Sequence, residues 1–120
     1  KNETYFRKLE NDISLRELNK HNSVISLGGG AFLNNAIRKA VKNTCISFWL
    51  DVSLKYLLPR LKNSRKRPLL NENNLEKTIN KIYLERKKIY NESNYKIKCD
   101  LTDTNTITNK IVKIYENQRN

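Results

Sequence analysis

The chain has 120 residues, of which 24 are Lys or Arg and 12 are Asp or Glu, giving a formal charge of +12. This length makes one domain or less, and the 38% of hydrophobic residues fall in short periodic groups, which excludes a membrane-spanning run. A basic chain suits nucleic acid, an anionic surface or a phosphorylated small molecule, yet here the lysines lie on most expected helices, as on a solvated surface.

In chain order, the segment from Asn2 to about Lys20 predicts a helix with an apolar stripe of Leu9, Ile13, Leu15 and Leu18. Ser23–Leu27 predicts a short strand ended by Gly28-Gly29-Gly30, and a helix follows from about Asn34 to Lys42. Cys45–Leu50 is an apolar run suited to a strand buried on both faces. Ser53 is placed as the N-cap of a helix carrying Leu54, Leu57, Leu58 and Leu61, which Pro59 is expected to kink or shorten. Residues 63–74 are polar, basic and aperiodic, and predict a mobile loop. A long amphipathic helix is expected from Leu75 to about Glu92, a strand at Tyr95, Ile97 and Cys99, and a last helix from about Thr106 to Glu116. Helices alternating with short apolar strands indicate an α/β domain with a parallel sheet.

Several segments carry chemistry. Three glycines between a strand and a helix let a ligand approach the backbone without meeting a Cβ, and they leave amide groups free at a helix start. The run is neither GxGxxG nor GxxxxGK[ST], so it is no nucleotide fingerprint. Arg7 precedes Glu10 by three residues; the pair is either an exposed intrahelical contact or a carboxylate holding a guanidinium ready to clamp a substrate acid. Arg65-Lys66-Arg67-Pro68-Leu69-Leu70 puts three cations beside two apolar residues, which suits either a lid closing over phosphate or a solvated basic loop. Arg86 reads by itself as one more surface cation of the long helix. Cys45 and Cys99 lack CxxC spacing and, with His21 the sole histidine, suggest no zinc site; both are expected as small buried apolar residues. The chain opens on Lys1 without a signal peptide's apolar core or cleavage site, so it is expected to begin inside a longer, cytoplasmic protein.

The order and spacing of these pieces say more than any one alone. Phe6-Arg7-x-x-Glu10, then Val24-Ile25-Ser26-Leu27-Gly28-Gly29-Gly30-Ala31, Trp49-Leu50-Asp51-Val52-Ser53, Arg60, Arg67-Pro68-Leu69-Leu70, and Arg86 with Tyr90 together resemble shikimate kinase over nearly the whole chain. The resemblance implies a three-layer P-loop kinase of the nucleoside-monophosphate-kinase-like group, with five parallel strands in order 2-3-1-4-5. Residues 1–120 would be one partial domain lacking its first two strands, with 62–74 as the lid. It implies phosphorylation of the 3-hydroxyl of shikimate by ATP with Mg²⁺, in aromatic amino-acid biosynthesis. Arg7, Gly28, Gly29, Gly30 and Arg86 would bind the acceptor; Arg67 would be the catalytic lid arginine reaching the ATP phosphates. Arg60 and Asp103 would lie on the adenine side.

No GxxxxGK[ST] occurs, nor a DxD ahead of Arg7, so the phosphate loop and the metal ligands are expected N-terminal to Lys1. The chain alone is expected to be inactive and poorly stable, with Ser23–Leu27 and Cys45–Leu50 left as open strand edges. Shikimate and ATP are the expected partners of a monomer that binds neither nucleic acid nor membrane. The alternatives are another small-molecule kinase of the same scaffold, such as a gluconate kinase, or a basic remnant that binds nucleic acid.

Overall fold

The computed structural model describes residues 2–62 and 72–119, so Arg67 and most of the expected lid lie outside the described residues. The chain divides into two compact units, Lys1–Ser47 and Phe48–Asn120. Among the described residues no helix is long and apolar enough to cross a membrane.

The first unit begins with helix α1 (Glu3–Leu18), started by Asn2, whose side-chain oxygen accepts from the Tyr5 N–H at 2.8 Å. Glu3 in its first turn and Arg16 in its last complement the helix dipole. Of the apolar stripe expected on α1, only Leu15 and Leu18 face inward. Leu9 and Ile13 remain 41% and 48% exposed, while Arg7, Glu10, Asn11, Ser14 and Leu15 are half-buried and Leu18 is buried. The inward positions recur at helical spacing from Arg7 to Leu18, so the middle turns turn a polar face inward and the last turn an apolar one.

Ser23–Leu27 forms no strand, and Val24 is fully exposed. In the expected order 2-3-1-4-5 this segment would be the third strand, with the first and second as its neighbours. Neither has a counterpart among the described residues, and extended backbone without a partner makes no ladder. A 3₁₀ turn (Ala31–Leu33) follows the glycines, closed by Ala31 N–H to Gly28 C=O at 3.1 Å and Leu33 N–H to Gly30 C=O at 3.2 Å. Helix α2 (Asn35–Thr44) starts where Asn34 accepts from the Ile37 N–H at 3.0 Å. Arg38 fastens α2 to that turn, donating to the Phe32 carbonyl at 2.8 Å and the Leu33 carbonyl at 3.2 Å. Leu18, Ala31, Phe32, Ile37 and Val41 form the buried core of this unit.

The second unit is a parallel βαβ arrangement. Strand β1 (Phe48–Asp51) pairs with β2 (Tyr95–Lys98), Phe48 opposite Tyr95 and Asp51 opposite Lys98. The Phe48 and Tyr95 rings stack at 5.5 Å. The strand predicted from Cys45 starts three residues later. Helix α3 (Leu54–Lys62) runs through Pro59, the residue expected to kink or shorten it. The carbonyl deprived of a bond belongs to Lys55, and both residues are exposed, so water can serve it. Helix α4 (Glu72–Tyr90) buries Leu75 and Ile79 and half-buries Thr78, Ile82, Tyr83, Arg86, Ile89 and Tyr90. Helix α5 (Thr104–Arg119) begins two residues earlier than expected, because the Asp103 carboxylate accepts from the Thr106 N–H at 2.7 Å and caps it. Both cysteines are half-buried and free.

Ser53 stands at the start of α3 as expected, its carbonyl accepting from the Tyr56 and Leu57 N–H groups. Its own groups, however, bind Asp100 beyond the end of β2. The Ser53 N–H donates to Asp100 Oδ1 at 2.8 Å and the Ser53 hydroxyl to Oδ2. These bonds, the hydroxyl first, hold the Asp100 carboxyl below its ordinary value of 3.8. A depressed folded pKa adds stability above the unfolded value that is lost as pH falls through the folded one. Thermal melts by circular dichroism should show Asp100→Ala less stable than wild type at neutral pH. They should also show its melting temperature falling less steeply than that of wild type below about pH 4.

Candidate functional site

In the first unit the site is an arginine laid on a glycine. Arg7 donates from Nε to Glu3 at 2.7 Å and from Nη1 to Glu10 at 2.5 Å, and its guanidinium lies 5.2 Å from the Phe6 ring centroid. A Cβ added at Gly30 would stand 2.5 Å from Arg7 Nη1 and 2.8 Å from Nη2; one at Gly28 would stand 3.2 Å from Glu10 Oε2. No glycine has positive φ, so the triple glycine is not required by a left-handed backbone. What it supplies is room. The missing side chains let Arg7 and Glu10 lie directly on the turn, with Gly29 between the two contacts.

The two carboxylates raise the pKa of Arg7, Glu3 through its hydrogen bond more than Glu10, and the side chain remains 41% exposed. A guanidinium has five N–H donors. Two serve the glutamates, which leaves Nη2 without a hydrogen-bond partner among the described residues. Glu10 is only 15% exposed and can hold the group in place while its free edge receives an acid. The intrahelical Arg7–Glu10 pair, one of the two readings of the sequence, is present, and it leaves part of the guanidinium unused. Glu3 was missed, although an acid four residues before an arginine is a legible helix pair. Asn11, one turn after Arg7, has a buried Oδ1 without a hydrogen-bond partner, and no sequence signal marked it.

In the second unit Arg86 departs from the bland expectation. Lys81, Lys87 and Lys88 are exposed, while Arg86 shares the inward stripe of α4 with Tyr83 and Tyr90. Tyr90 packs against Trp49 of β1, ring centroids 6.0 Å apart at a tilt of 58°. Burial, then the charge of Asp51 and a hydrogen bond to it, push the Tyr83 phenol up. Burial first, then Asp51 and Asp100, likewise raise the Cys99 thiol, so it is a poor nucleophile. Arg60 is exposed on α3, and Asp103 is occupied as the cap of α5.

A sequence model of the shikimate kinase family matches residues 1–116. The chain belongs to the shikimate kinase family. The shikimate kinase of Bartonella henselae is 34% identical over 111 residues, covering 92% of this chain and 53% of that protein. The Sulfurihydrogenibium shikimate kinase is 38% identical over 112 residues, 93% of this chain and 66% of that protein. Against the Bartonella proteins the chain spans about half their length. A crystal structure of shikimate kinase from Bacteroides thetaiotaomicron superposes with a TM-score of 0.77 at 24% identity, over 98% of this chain and 70% of that one. The likeness establishes the α/β P-loop kinase fold. The shikimate kinase resemblance read from Arg7, the glycines, Trp49-Leu50-Asp51 and Arg86 is thereby borne out as family and fold.

The cradle makes a test that needs no ligand. In Gly30→Ala the new methyl displaces the Arg7 guanidinium, the movable end of a flexible side chain, so the fold survives. The Arg7 Nε–H resonance should shift in ¹H–¹⁵N spectra of Gly30→Ala and move far less in Gly28→Ala, where the contact is looser.

Proposed function

We propose that this chain is the acceptor-binding part of an enzyme that transfers a phosphoryl group from ATP to the 3-hydroxyl of shikimate. The observation that carries the reading is the Arg7 guanidinium, braced by two glutamates and lying on Gly30 with its Nη2 edge unspent. Family membership over residues 1–116 supports it. Phosphoryl transfer depends chiefly on holding acceptor and donor in line and on cations around the developing charge. In this reading Arg7 and Arg86 bind the acceptor's carboxylate, and the amides of Gly28, Gly29 and Gly30 receive its hydroxyl side. Arg67, by its place in Arg67-Pro68-Leu69-Leu70, serves the transferring phosphoryl group; Arg60 serves the nucleotide. Asp103 is the weaker nucleotide candidate, since capping α5 already uses one of its oxygens.

Among the described residues no three His, Cys, Asp or Glu side chains converge as a metal site. In this reading Mg²⁺ and the ATP phosphates are held by the part of the relatives that this chain does not span. The residues present bind and orient the acceptor.

In the full-length protein that carries this segment, Arg86→Ala should raise the KM for shikimate about 10- to 100-fold, the worth of a charge-assisted hydrogen bond, with a smaller change in kcat. Arg67→Ala should lower kcat more than it weakens shikimate binding. Small, equal effects of both would remove the roles given to them. ADP release dependent on shikimate and absent with gluconate separates this kinase from others of its scaffold. Nucleic-acid binding that weakens steeply with salt, without protection by shikimate, would favour the basic-remnant reading.

A further inference from the structure

The turn that follows the glycines is held in two ways. Its own backbone closes it: the carbonyls of Gly28, Gly30 and Ala31 accept from the N–H groups of Ala31, Leu33 and Asn34 at 3.1, 3.2 and 3.0 Å. Arg38 of α2 then takes the next two carbonyls. Its Nη1 donates to Phe32 at 2.8 Å and to Leu33 at 3.2 Å, while Nη2 donates to the Asn35 side-chain oxygen. Helical side chains lean toward the helix N-terminus, so a residue at position 38 can reach back to a turn five and six residues behind it.

Arg38 is not placed there for the sake of α2. Asn34 already caps that helix through the Ile37 N–H, and a cation in the first turn opposes the helix dipole. What Arg38 serves is the turn. Hydrogen bonds in a 3₁₀ turn have poor geometry, and three residues make few of them. A planar, forked guanidinium that binds two successive carbonyls limits how their peptide planes can tilt, which a single ammonium does less well. Gly30 is the residue that opens this turn, and the Arg7 guanidinium rests on it so closely that a Cβ there would stand 2.5 Å from Nη1. No side chain lies between them to absorb a displacement of the turn.

We propose that Arg38 is a positioning residue: by fixing the Phe32 and Leu33 carbonyls it sets the seat of the Arg7 guanidinium on Gly30, and so aims Arg7 at the acceptor's carboxylate. The inference rests on the acceptor-binding role given to Arg7 above. Arg38 acts through the turn and does not touch the acceptor.

The test uses the full-length protein, with shikimate and ATP affinities read by titration calorimetry and the Arg7 Nε–H resonance by ¹H–¹⁵N spectra without ligand. Arg38→Lys keeps the charge and the stem but loses the fork. It should shift the Arg7 resonance and weaken shikimate about three- to tenfold, the worth of one hydrogen bond, with ATP affinity unchanged. In an Arg7→Ala background Arg38→Lys should cause no further loss of shikimate affinity. Should Arg38→Lys fail to fold, Asn35→Ala releases Nη2 alone and should move the same resonance and weaken shikimate in the same direction. An unmoved Arg7 resonance, full shikimate affinity in the variant while Arg7→Ala binds weakly, or losses that multiply in the double variant overturns the positioning role and leaves Arg7 as an acceptor ligand. An Arg7→Ala protein that binds shikimate normally overturns the acceptor reading itself, and the role of Arg38 with it.

Discussion

A guanidinium useful to a ligand must be held by its own chain without being consumed by it. Arg7 meets this condition because Gly30 has no side chain: the planar group lies where a Cβ would be 2.5 Å away, and the glutamates at both sides take Nε and Nη1 only. Burial of Glu10 makes that brace stiffer than an exposed pair, which alone contributes little. The polar inward face of α1, the 3₁₀ turn and the anchoring of that turn by Arg38 all serve to bring Arg7 and the glycines to one place.

The second unit solves a related problem by tying loops and helices to a very small sheet. Two four-residue strands offer few ladder bonds, so side chains carry much of the connection. Asp100 binds both the N–H and the hydroxyl of Ser53, joining the end of β2 to the start of α3. Asp103 then starts α5 from the same loop, in which Leu101 takes φ 53° and stays 86% exposed. Tyr90 packed on Trp49 joins α4 to β1.

Much of this was legible in the residues. The helices followed from their periodicity, and the parallel pairing followed from alternating helix and strand patterns. The Arg7–Glu10 pair was visible from its spacing. Three features were not. Ser23–Leu27 has a strand's composition, but a strand exists only through hydrogen bonds to a neighbour. Leu9 and Ile13 look like a core stripe, yet the face of α1 that packs is decided by what lies opposite it, here a glycine turn that accepts Arg7. Ser53 occupies the predicted cap position, but its hydroxyl goes to a residue 47 positions away that no local pattern could name.

By itself the sequence determined which residue types are available: arginines with carboxylates at helical spacing, glycines where bulk would interfere, and an order of motifs diagnostic of the family. Periodicity and capping are local, so they survive in one dimension. Which Arg7 donors remain free, that Arg86 faces inward while its lysine neighbours face water, and that Asp51 lacks a partner for one oxygen were decided only by tertiary packing. The reason is that burial and hydrogen-bond satisfaction depend on distances between segments, and a linear order of residues contains none of those distances.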